Sequence, residues 1–291
     1  MTIMRLSSIV IRFRNSVQAM FNMQPLKVLK SLLAFLTAIP MKMDENFLQI
    51  SARFMFLLPI VGALIGVLAG LYAYSVHFIL GLAFDFLNSM LFLGSQSASF
   101  DFLAKGLAGI MTLAFLLVLT GLQHTDGLVD LGNALTMRQA TVEERTKIAH
   151  AWIVTRAGAF LALLVALGTV ATLFFIANDK IIYSLIVAEV AAKLAMVTCA
   201  WQGSSTQKGL GSIFINSMRH KHGLFTVSLA TSLIISVFLR GLTGALAVVS
   251  GIVIGGLAIF LGRKVFGGVT GDIFGAANEI ARMTALFIMV W

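Results

Sequence analysis

One cysteine, Cys199, occurs in 291 residues, which excludes an intrachain disulfide and any cysteine-based metal cluster. Charge is scarce as well: Asp, Glu, Lys and Arg make up 11% of the chain, against about a quarter in an ordinary globular domain. So few charged groups cannot clothe a water-facing surface. Also missing is any basic arm interleaved with aromatics, so the formal charge of +9 gives no indication of nucleic acid. The N-terminal stretch "MTIMRLSSIVIRFRNSVQAMFNM" is basic and amphipathic, but it lacks the long apolar run and small-residue cleavage site of a signal peptide. It reads as an interfacial helix within a basic segment, 1–29.

What is present is apolar: 59% of residues, with a mean hydropathy of +0.96. Several windows reach the ~18–20 consecutive apolar residues that cross a hydrocarbon core. The fold class predicted is all-α, a polytopic integral membrane bundle formed by residues 30–291 as a single domain. Spans are expected near 54–80, 106–123, 157–177, 181–200, 223–239 and 243–262, six crossings, with a shorter apolar segment at 281–291. "LKSLLAFLTAIP" (29–40) is too short to span and ends in Pro40, so it reads as a half-helix or re-entrant piece. With the N-terminus inside, segments 1–53, 124–156, 201–222 and 263–282 carry 17 of the 21 Lys and Arg residues. By the positive-inside rule the polar, glycine-rich loops then face the cytoplasm of a cell membrane protein in contact with lipid.

In "HTDGLVDLGN", Asp126 and Asp130 are four residues apart and Asn133 follows three later, so on a helix their oxygens share one face. Oxygen ligands in this pattern suit Mg²⁺ or Mn²⁺, with substrate phosphates completing the shell. His124 reads as a ligand, a proton acceptor or an interfacial residue, and the other histidines show no zinc-like spacing. Thr141 and Glu144 form a capping-box pattern, and the segment they open runs to Arg156, which either grips a phosphate bidentately or snorkels to headgroups. Glu189 and Lys193, four apart at membrane depth, make a structural ion pair or line a cavity. "SSTQKGLGSIF" sets Lys208 before Gly209 and Gly211, a turn able to wrap an anion. "GGVTGDIFGAANEI" places Asp272, with Asn278 and Glu279, on the membrane side of Asp126.

These segments, with "FLTAIP", "LLPIVGALIG" and "TRAGAF", resemble the cobalamin synthase (adenosylcobinamide-GDP ribazoletransferase) family in order, spacing and membrane context, from about residue 30 to the C-terminus. The resemblance implies a Mg²⁺-dependent transferase joining adenosylcobinamide-GDP to α-ribazole or its 5′-phosphate, giving adenosylcobalamin or its phosphate and GMP. It implies Asp126, Asp130 and Asp272 as metal-binding and catalytic residues, with Asn133 offering a carbonyl oxygen. His124 would act near the site, and Arg156, Lys208, Gly209, Gly211, Asn278 and Glu279 would contact substrate. Three positions depart from the family's usual residues: Asn133 stands for an aspartate, Val154 for another, and Lys193 for an arginine. A CDP-alcohol phosphotransferase would need Ala-Arg two residues after Asp-Gly, where this chain has Leu128-Val129-Asp130-Leu131. A transporter would explain the intramembrane Glu189–Lys193 pair but not the gathering of motifs at one membrane face. Assembly into a homo-oligomer is left open by the sequence.

Overall fold

The structure, a computed structural model, describes residues 25–42, 46–90, 97–137, 139–151, 153–205 and 209–291. The expected interfacial helix of the N-terminus therefore lies almost wholly outside the described residues, as does Lys208. Among the described residues the chain forms eleven α-helices and no strand: α1 (Pro25–Leu36), α2 (Phe47–Arg53), α3 (Leu58–Met90), α4 (Ser97–Leu119), α5 (Gln123–Leu135), α6 (Val142–Ala149), α7 (Arg156–Phe175), α8 (Ile181–Gln202), α9 (Leu210–Met218), α10 (His222–Phe266) and α11 (Gly271–Met289).

Among the described residues, five helices are long and apolar enough to cross a membrane: α3 with the short turn before it, most of α4, α7, α8 with its preceding turn, and α10. The fifth of these is two helices. Gly241 has φ 56° and ψ −130°, a conformation open to glycine and strained for other residues. A Cβ placed on Gly244 would strike the carbonyl oxygen of Ser236, eight residues earlier, whereas a continuous helix would separate them by about 12 Å. The chain thus reverses at Gly241, and the arms 222–240 and 242–266 answer to the two separate spans read from the sequence.

α8 is the axis. It is buried without a break from Ser184 to Ala200, packed between α3, α10 and α11. Small residues make this possible. Gly62, Gly66 and Gly70 lie one turn apart on α3, and a Cβ on the first two would come within 2.5 Å of Glu189 O and Ile186 Cα. Backbones can approach this closely only where side chains are absent. Outward-facing Phe78, Phe160 and Phe238 stay 61%, 66% and 88% exposed, as lipid-facing positions require.

The second interior helix, α11, differs from the expectation of a short apolar segment at 281–291. It runs 19 residues, about 28 Å, and is packed by α5, α7, α8 and α10. A hydropathy scan misses it because Asp272, Glu279 and Arg282 lie along it. Two of those charges are paired inside the bundle. Arg282 Nη1 donates to Glu279 Oε2 at 2.8 Å and its Nε donates to Glu189 Oε1, while Lys193 Nζ donates to Glu189 Oε2 at 2.7 Å and to Asn278 Oδ1 at 2.8 Å. Arg282, placed among the inner-face cations by the sequence reading, therefore lies fully buried in the bundle.

Removing one member of such a set strands its partners, at a cost of about 3–5 kcal/mol. Arg282→Met is expected to lower the thermal midpoint in detergent by far more than the exposed control Arg263→Met. Equal midpoints for the two variants would show that the network contributes nothing to stability.

Candidate active site

The turn between α4 and α5 passes through Gly121 (φ 69°) and Leu122 (φ 62°), a left-handed pair that lays α5 back across the end of the bundle. Along α5 the side chains divide by helical period. His124 points inward and is 5% exposed, while Asp126 and Asp130 lie one turn apart on the outer side, exposed and half-buried respectively. α11 meets α5 at its own first turn. A Cβ on Gly275 would come 2.9 Å from His124 O, and one on Gly127 would overlap the backbone of Asp272. This close approach brings Asp272 beside Asp130.

Asp272 sits where the positive end of a helix favours a carboxylate. Thr270 caps α11, its hydroxyl accepting from Ile273 N and donating to Asp272 Oδ2 at 3.1 Å. His150, the residue closing α6, places Nε2 3.2 Å from the same Oδ2. Ligand atoms of Asp130, His150 and Asp272 all lie within 4.8 Å of one another. Burial, then the negative charges of Asp272 and Asp126, push the Asp130 carboxyl up to about 7, with His150 opposing. Like charges this close are relieved by a cation or by a proton. Two carboxylates with a third nearby are hard oxygen donors of the kind Mg²⁺ and Mn²⁺ take, and the imidazole suits Mn²⁺ better than Mg²⁺.

Beside the carboxylates opens a cavity of about 450 Å³. Asp126, Asp272, Gln123 and His124 line one part of its wall and aromatic and aliphatic side chains the rest. His124 is held well below the usual histidine range, by burial first and then by the Lys193 and Arg282 charges, against the pull of Glu189. Its imidazole is therefore neutral. Nδ1 is buried with no hydrogen-bond partner among the described residues.

The remaining predicted residues separate into those the fold brings to this end and those it does not. Gly211 lines the cavity, and a Cβ there would come 3.1 Å from Gly271 N, so the start of α9 abuts the start of α11. Gly209, just before it, is exposed. Arg156 is the exposed first residue of α7, after the N-cap Thr155, whose side chain accepts from Gly158 N. A cation there opposes the helix dipole, and an anion brought to it relieves both. Asn133 is placed for another task. It is fully buried, its Oδ1 accepts from Thr155 N at 2.9 Å and Thr155 Oγ1 at 2.8 Å, and its Nδ2 donates to Ile153 O at 2.7 Å. With both ends of its amide engaged, it fastens the start of α7 to α5 and has no oxygen turned to the carboxylates. Asn278 and Glu279 lie in the interior network with Lys193 and Arg282, one to two turns below Asp272, and line no part of the cavity. His150 had no signal in the sequence, since its 20-residue separation from Asp130 matches no ligand spacing; only the return of α6 towards α5 and α11 places it.

A sequence model of a family described as cobalamin-5-phosphate synthase matches residues 28–290. Similar proteins include an adenosylcobinamide-GDP ribazoletransferase of Methanococcoides burtonii, 27% identical over 91% of this chain and 92% of that protein. One from Methanocella arvoryzae is 33% identical over 62% of this chain and 73% of its own length, and one from Halorubrum lacusprofundi is 28% identical over 91% and 98%. No solved structure matches.

Placing an aspartate at position 133 is expected to harm this chain. In Asn133→Asp a carboxylate oxygen replaces the amide that donates to Ile153 O, leaving two acceptors face to face at a cost of about 1–3 kcal/mol. Limited proteolysis should cut the connection between α6 and α7 faster in this variant; an unchanged rate would deny Asn133 its fastening role.

Proposed function

The chain belongs to the cobalamin-5-phosphate synthase family, and from that premise we propose that it is the transferase for which its relatives are named, joining adenosylcobinamide-GDP to α-ribazole or its 5′-phosphate with release of GMP. The observation that carries the reading is that Asp126 and Asp272 stand at the wall of a cavity large enough for one reactant, with Asp130 close beside them. A ribose hydroxyl of the acceptor attacks the cobinamide-side phosphorus, the bond from that phosphorus to the GMP oxygen breaks, and GMP leaves as a phosphomonoester. Most of the catalytic work in such a transfer is positioning and neutralisation of charge.

Each group on this end has a part in that work. Asp126, Asp130 and Asp272 would hold Mg²⁺, which supplies positive charge to the diphosphate oxygens. His150 braces Asp272 through Oδ2. Arg156 binds diphosphate oxygens, and Gly209 and Gly211 let backbone approach them; Lys208, next in sequence to Gly209, lies outside the described residues. His124 receives the hydroxyl proton on its unpartnered Nδ1; its suppressed basicity means that the proton passes on to water or to the departing phosphate. The location that follows is the cytoplasmic membrane, the motif-bearing loops facing the cytoplasm on the side to which 16 of the 21 Lys and Arg residues belong once the buried Arg282 is left out.

Purified protein in lipid, given both substrates, is expected to release GMP with Mg²⁺ and not with EDTA, and Asp126→Asn or Asp272→Asn should lose at least about a hundredfold in kcat. No GMP from folded wild-type protein under any metal would defeat the transferase reading. Metal binding should also depend on pH. Asp130 retains its proton below about 7, and a cation must displace it, so Mn²⁺ binding followed by electron paramagnetic resonance should be about tenfold weaker at pH 6 than at pH 8. Equal affinity at the two pH values would remove Asp130 from the metal site.

A further inference from the structure

The cavity beside the carboxylates is sided. Asp126 and Asp272 stand at one part of its wall, and Phe35, Phe47, Phe214, Phe274, Met55 and Met196 supply much of the remainder. The phenylalanines are organised. Phe214 on α9 stacks on Phe35 of α1 with centroids 4.4 Å apart and planes at 28°, and meets Phe274 of α11 edge-on at 6.5 Å and 63°. Three helices from separate parts of the chain thus put rings around one slot, close to the groups assigned to phosphoryl transfer.

Resting on the transferase reading, we propose that this slot receives the flat base of the nucleoside acceptor, and that it selects an apolar, methyl-bearing bicyclic base over a purine. Size excludes the corrinoid donor: about 450 Å³ lies low in the ~300–1,000 Å³ range of small-ligand pockets, enough for a nucleoside and too small for a corrin macrocycle with its amide arms. Chemistry disfavours guanine among the rings. A guanine carries an amine, a carbonyl and ring nitrogens on its edge, and each left unpaired against phenylalanine and methionine costs about 1–3 kcal/mol. A dimethylated benzimidazole joined to ribose has one free ring nitrogen, for which the amide of Gln123 on the same wall is a sufficient donor. Phe35 and Phe214 stack on each other, and the outer faces and edges of the rings that line the slot favour a flat aromatic ligand. With the base among the phenylalanines, the attached ribose points to Asp126 and Asp272, where its hydroxyl must be to attack. The corrinoid and its nucleotide then approach from the open side past Arg156.

The test is steady-state kinetics of the full chain in lipid nanodiscs, varying α-ribazole at saturating adenosylcobinamide-GDP and then the reverse, for wild type, Phe214→Leu and Phe35→Leu. Leucine keeps the site apolar and removes the ring; each variant is first checked for a wild-type thermal transition, and one that fails is set aside for the other. The expected result is an acceptor KM raised about tenfold with kcat and donor KM near wild type. With the wild type, an α-riboside of adenine should show kcat/KM at least about tenfold below that of α-ribazole. An unchanged acceptor KM overturns the assignment, as does a raised donor KM, which would put guanine in the slot. Equilibrium dialysis of α-ribazole, using its own fluorescence and no donor, separates this proposal from the reaction assignment. Binding that is lost in Phe214→Leu, in protein that makes no GMP, would retain the aromatic slot and reject the transfer. GMP formation with acceptor binding indifferent to Phe214 and Phe35 would do the opposite.

Discussion

Two carboxylates, an ammonium and a guanidinium buried at the centre of a membrane bundle can persist only if their charges cancel and their hydrogen bonds close on one another. Glu189, Lys193, Glu279 and Arg282 meet the charge condition in full and the hydrogen-bond condition in large part: Asn278 bridges Lys193 to Glu279, while Nη2 of Arg282 has no hydrogen-bond partner among the described residues. Two of the charges come from α8 and two from α11, so neither helix can shift along the other without exposing an unpaired charge to lipid or to an apolar core. This fixes the register of α11. It also fixes the site, because Asp272 is seven residues before Glu279 on the same helix. Where the network sets Glu279, the first turn of α11 has one height relative to α5, and Asp272 comes opposite Asp130.

Glycine completes what the charges begin. α5 and α11 touch through Gly127 and Gly275, and a larger residue at either would hold Asp272 away from Asp130 by the width of a side chain. The network beneath and the glycines between therefore act on the same distance, that between carboxylates contributed from segments 142 residues apart in sequence. His124 links the two levels: it faces the cavity above, and its burial, reinforced by the cations of Lys193 and Arg282 below, keeps it uncharged.

Local chemistry was legible in the sequence, and what depended on distant packing was not. The apolar runs marked the long helices because length and hydropathy are properties of one segment, and the reversal at Gly241 yields the two arms that answer to two expected spans. Asp126 and Asp130 could be placed on one face by helical period alone. His150 could not, since its position depends on where α6 returns. Asn133, Asn278 and Glu279 were assigned to ligand and substrate because polar residues near a motif read as functional; in the folded chain their hydrogen bonds are consumed in holding helices together. α11 was underestimated for the same reason. Its charges lower its hydropathy, and only its partners on α8 reveal that they are neutralised in the interior.

A reaction between one substrate with a large hydrophilic ring and another with a small apolar base imposes opposed demands on a site. The first needs an open approach and charge to meet a diphosphate; the second needs a dry, shaped recess. At the rim of a membrane bundle both are available without a second domain. Helix starts there collect backbone N–H groups, carboxylates and cations, as at α5, α7, α9 and α11, and immediately below them the helices present apolar side chains that need no solvent. Phe214 and Phe274 therefore belong to the recess and Asp272 to the rim, although Phe274 and Asp272 are two residues apart on one helix. On the proposed assignment, the half-turn between them is the boundary between the part of the site that recognises and the part that reacts.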